Sequence, residues 1–113
     1  MGNQRHMNAN SSKVEMYQEY KQSSVIEDLE KRIVEKGESS RLIKKLAEAH
    51  YKEGNYLRSL SCYLKLLSFE PENGRIWNKL AVIFIKLEEH KAAVELSRIA
   101  HRLICKEMKD DYL

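Results

Sequence analysis

The residues of this 113-residue chain that could do chemistry are four histidines, two cysteines, a few paired acids and a set of regularly repeated cations. His6, His50, His90 and His101 occur in no HExxH pair or triad-like setting, and no Gly-rich phosphate loop is present. Cys62 and Cys105 are far apart and lack CxxC spacing, so they read as reduced thiols in a cytoplasmic protein. Glu88-Glu89 and Asp110-Asp111 fall at a turn and a tail, where solvated charge is the ordinary state. The expectation is a protein with no catalytic residues, no metal site and no cofactor. The cations are more informative. Arg41 and Arg75, Lys45 and Lys79, and Lys52 and Lys86 are each separated by 34 positions, as are Leu46 and Leu80, and Ala47 and Ala81. A shared period of that length means two copies of one supersecondary unit, stacked so that matching residues line up.

Composition agrees with helices as the elements that position these cations. Hydrophobic residues make up 42% and charged residues 33%, with one Pro and four Gly, too few turn residues for a β-sandwich. The net charge of +3 is too slight by itself to indicate nucleic-acid binding. No apolar run resembles a signal peptide or a membrane span.

Leu42, Ile43, Leu46, Ala49 and His50 recur at three- and four-residue intervals, which predicts an amphipathic helix ended by Gly54-Asn55. A second helix is expected from Tyr56 to Phe69, with Leu60, Tyr63, Leu64 and Leu67 inward and Pro71 closing it. The plan repeats with Trp77, Leu80, Ala81 and Phe84 on one helix. Ala93, Val94, Ser97 and Ala100 form the inward face of its partner. Ala47 and Ala81 should face Ser59 and Ala93 where the helices approach most closely. Upstream, Val25, Ile26, Leu29, Ile33 and Val34 form a stripe behind a Ser24–Glu27 capping box. A shorter helix is expected from Ser12 to Lys21 behind a Ser12–Glu15 box.

These residues resemble the tetratricopeptide repeat family. Ile43, Leu46, Ala47, Tyr51, Gly54, Tyr56, Tyr63 and Pro71 match its motif in one unit, with Ser59 in place of the usual Ala. Trp77, Leu80, Ala81, Phe84, Ala93 and Ala100 match in the next, with Glu88 at the Gly site and Cys105 at the Pro site. The resemblance implies an all-α chain of antiparallel helical hairpins stacked as a short right-handed solenoid. Its parts would be a flexible leader (1–11), a degenerate hairpin (12–39), two units (40–73 and 74–107) and a tail (108–113).

It also implies a concave groove, lined by the first helix of each unit, that holds an extended peptide. Helical spacing assigns Arg41, Lys44, Lys45, Glu48, Tyr51 and Lys52 to that groove from one unit, and Arg75, Asn78, Lys79, Val82, Ile85 and Lys86 from the other. Seven of the twelve are cations, so an acidic protein segment is the expected partner, as for an adaptor, co-chaperone or assembly subunit. The family's carboxylate clamp is matched poorly: Lys44 fits, but Glu48 and Lys79 stand where Asn is needed. A nucleic acid in the same Lys/Arg groove is the alternative. A further expectation is an exposed strip of Ala92, Leu96, Ile99 and Leu103 on the last helix, through which the chain would form a homodimer or meet another protein.

Overall fold

A computed structural model describes residues 24–112. The expected leader and the helix from Ser12 to Lys21 lie outside them. The described residues form five helices and no strand: α1 (24–36), α2 (Ser40–Lys52), α3 (Tyr56–Phe69), α4 (Gly74–Lys86) and α5 (His90–Tyr112). Ser24 is itself helical, so the expected capping box does not open α1. Along the chain α2 packs on α3, α3 on α4 and α4 on α5. Ile26 and Leu29 of α1 cover Ala49, Leu42 and Leu46 of α2.

Three-residue turns join α2 to α3 and α4 to α5, and their hydrogen bonds repeat at the period seen in the sequence. Glu53 N–H donates to Ala49 O, Gly54 N–H to Tyr51 O and Asn55 N–H to His50 O; Leu87 to Ile83, Glu88 to Ile85 and Glu89 to Phe84 do the same 34 residues on. Such a helix end needs one residue in the left-handed region. Gly54 occupies it at φ 84° and Glu88 at φ 62°. The helix starts also match. Ser39 Oγ accepts from Leu42 N–H, and Asn73 Oδ1 accepts from Arg75 N–H, each satisfying an amide that the helix leaves free.

The main core joins both hairpins: Ile43 and Ala47 of α2, Tyr63 and Leu66 of α3, and Ile76, Leu80 and Ile83 of α4. The small residues sit where close approach was expected, with Ala47, Ser59, Ala81 and Ala93 all buried. Ser59 adds a bond that spacing does not reveal: its hydroxyl donates to Ala47 O at 2.8 Å, tying the first hairpin together. In the second hairpin α4 and α5 meet closely at Gly74. A Cβ on Gly74 would lie 2.7 Å from Ile104 Cγ1 and 2.9 Å from Ala100 O. Trp77 Nε1–H donates to Pro71 O, fixing α4 to the turn before it. Lys65 of α3 and Glu38, in the turn before α2, form an exposed ion pair, of a kind that contributes little stability.

Several inward residues differ from expectation. Leu66, Ile76 and Ile83 are buried, while Leu64 is half-exposed. Trp77 and Phe84 are only partly covered. The stripe of α4 facing α3 runs through residues 76, 80 and 83, one position before the tryptophan and phenylalanine expected to lead it. In α5 the inward stripe is Ala93, Leu96, Ala100 and Leu103, leaving Val94 half-exposed and Ser97 exposed. Finally, α5 continues to Tyr112 as one helix, taking in residues 108–112 of the expected tail.

Candidate functional site

The first turns of α2 and α4, opened by the Ser39 and Asn73 caps, stand apart, each helix packing on α3 and not on the other. Between these turns lies a cleft of about 430 Å³. Arg41, Lys44 and Glu48 line it from α2, Arg75 and Lys79 from α4, and Glu70 and Asn73 from the connecting turn. Tyr63, Leu66 and Ile76, all buried, form its floor. Four cationic and two anionic side chains leave a surplus of two positive charges on the wall. Neither helix carries an acidic residue in its first turn, so the positive ends of both helix dipoles add to that potential.

Five of the twelve expected groove residues, Arg41, Lys44, Glu48, Arg75 and Lys79, therefore meet in one place. The other seven line no part of the cleft. Lys45, one position past Lys44, and Asn78, one position before Lys79, are exposed and do not line the cleft. Lys52 and Lys86 lie at the far ends of α2 and α4, eleven residues and about 16 Å along each helix from Arg41 and Arg75. Tyr51 is half-buried, with its ring edge-on to Tyr56 at 5.5 Å. Val82 is half-buried in α4. Ile85, half-exposed, faces the other way, into a shallow hollow with His90, Ala93, Val94 and His101 at the open end of the stack.

Tyr63 and the turn residues Glu70 and Asn73 were not among the expected site residues. Tyr63 matched a packing position, and helical spacing says nothing about a turn that closes the end of a groove. Burial pushes the Tyr63 phenol up to about 12, with the Glu48 carboxylate adding to the rise. The phenol is thus a permanent donor at neutral pH. Burial likewise raises the Cys62 thiol, which marks a packed residue, not a nucleophile.

The strip expected on α5 is not exposed. Ala92, Leu96, Ile99 and Leu103 are all half-buried, and Leu96 packs against the main core. The inward rotation of α5 described above draws Leu96 and Leu103 towards α4. The large apolar residues left uncovered on α5 are Val94 and Met108. A second hollow, beside the cleft and sharing Glu70, Asn73 and Arg75 with it, is lined by Glu72, Glu107, Asp110 and Asp111 and is mainly acidic. Among the described residues no group of three His, Cys, Asp or Glu could hold a metal, and no helix is long and apolar enough to cross a membrane.

No protein-family model matches the chain, and no curated protein matches it significantly.

Proposed function

We propose that this chain is a non-catalytic protein-interaction module, a short right-handed solenoid of tetratricopeptide-like hairpins that holds an acidic peptide segment in its cationic cleft. It would serve as an adaptor, co-chaperone or small assembly subunit. The observation that carries this reading is the convergence of Arg41, Lys44, Arg75 and Lys79 on one cleft from two helices. A concavity of one sign concentrates potential and draws in a segment of the opposite sign. Supporting the repeat architecture are the 34-residue period and the turn hydrogen bonds that recur at it.

The test is fluorescence anisotropy with a labelled hexaglutamate peptide at low salt. Arg41→Glu combined with Lys79→Glu should weaken binding at least about tenfold, since two attractive charges become repulsive. Lys45→Glu combined with Lys52→Glu makes the same change in net charge outside the cleft and should cost much less. Equal losses in the two double variants would remove the cleft assignment. A labelled single-stranded RNA of equal length that bound more tightly than hexaglutamate, with a steep loss of affinity on adding salt, would favour the nucleic-acid alternative.

A further inference from the structure

Tyr63 combines two properties that rarely occur together. Its side chain belongs to the main core and is only 3% exposed, yet its hydroxyl makes no hydrogen bond among the described residues. Buried polar groups are nearly always partnered. Among the described residues the one side-chain polar atom both sealed from solvent and unpartnered is His50 Nδ1. The Tyr63 hydroxyl is therefore not sealed from solvent, and the Tyr63 side chain lines the cleft. A donor at the base of a cationic pocket is positioned for an anion.

We infer that the cleft receives a phosphorylated side chain of the bound peptide, with Tyr63 as the donor at its floor and Arg41 and Arg75 on either wall. This rests on the peptide-groove reading above and names the group recognised. Charge separates phosphate from carboxylate. The lining carries a surplus of two positive charges, which one carboxylate would half neutralise and a phosphate monoester would match. Glu48 and Glu70 in the wall offset two of the four cations, and the attraction that remains grows in proportion to the charge of the ligand. Donor geometry points the same way. Arg41 and Arg75 each stand second in their helix, presenting planar forks that suit phosphate oxygens. The phenol, protonated at neutral pH as tyrosine ordinarily is, supplies one more donor from the floor.

The experiment titrates the full chain, in a buffer free of phosphate, with two capped pentapeptides that differ only in a central phosphoserine or glutamate, and separately with inorganic phosphate. Affinities are read by calorimetry, and the site by amide NMR shifts of α2 and α4. The phosphoserine peptide should bind at least about tenfold more tightly than the glutamate peptide. Tyr63→Phe keeps the ring in the core, so its thermal midpoint should stay near that of the parent. It should weaken the phosphoserine peptide about tenfold, and the glutamate peptide no more than about twofold. Arg41→Gln should impair the phosphopeptide without touching the core. Equal affinity for the two peptides, or no effect of Tyr63→Phe, overturns the phosphate inference and leaves the acidic-peptide reading standing. Inorganic phosphate binding as tightly as the phosphopeptide overturns it in favour of a free anion. If neither peptide nor hexaglutamate binds, both readings fall.

Discussion

The two hairpins make the same turn hydrogen bonds and bury small residues at the same crossing, but with different chemistry at the shared positions. In the first hairpin the left-handed turn residue is Gly54, the crossing is tied by the Ser59 hydroxyl, and Ser40 opens the helix. In the second the same sites hold Glu88, Ala93 and Gly74. One hairpin has an unstrained turn and a polar tie. The other has a strained turn and contact so close that no Cβ fits at its first helical residue. A repeat therefore conserves backbone geometry more strictly than the side-chain means of reaching it. The first hairpin also contributes the buried His50 where the second has Phe84.

The sharpest break in this comparison comes from the core that both hairpins share. Leu80→Ala should cost about 3 kcal/mol, because a fully buried leucine leaves a cavity that helices on both sides cannot close. Urea unfolding would show a lowered midpoint with an unchanged slope. Next is the helix-opening position. Gly74→Ala should destabilise by about 2 kcal/mol through its clash with Ile104 and the Ala100 carbonyl. Ser40→Ala, at the matching and less crowded site, should cost well under 1 kcal/mol. Comparable losses at the two sites would mean that the second hairpin is no tighter than the first.

The turns supply a prediction of opposite signs. Gly54→Ala should destabilise and Glu88→Gly should stabilise, each by about 1 kcal/mol, since a side chain at positive φ is strained and glycine is not. A Glu88→Gly variant melting below the parent would refute the strain. The smallest effect concerns pH. Burial holds the His50 imidazole below its ordinary value of 6.5, with Glu30 and Glu53 opposing and Arg58 reinforcing the shift. The unfolded chain then takes up a proton that the folded chain refuses. Stability is full above pH 6.5 and declines as pH falls through the folded value. His50→Phe, which copies the second hairpin, should flatten that decline in thermal melts between pH 7 and 5.

Much of the site was legible at the level of the helix and little at the level of the pocket. Arg41 and Arg75, equivalent by the period, both line the cleft, but Lys79 lines it while its equivalent Lys45 does not, so the period alone does not fix which side chains meet. Lys52 and Lys86 are equally periodic and lie at the far ends of their helices, since periodicity gives a face but not a depth along it. Tyr63 was recognised only as a packing residue, because the sequence shows an aromatic at a core position and not what its hydroxyl meets.

What the chain determined by itself was helical hairpins, their turns at Gly54 and Glu88, and small residues at the crossings. Each follows from local chemistry: caps, left-handed turn sites and apolar spacing. The tertiary structure decided which stripe of α4 turned inward. Its sequence from Ile76 to Ile85 is apolar on most sides, so several rotations bury similar area. Only packing against α3 and α5 selected Ile76, Leu80 and Ile83. That rotation of α4, with α2 held beside it, turns Arg75 and Lys79 towards Arg41 and Lys44. A cleft between helices distant in sequence exists only once both have docked.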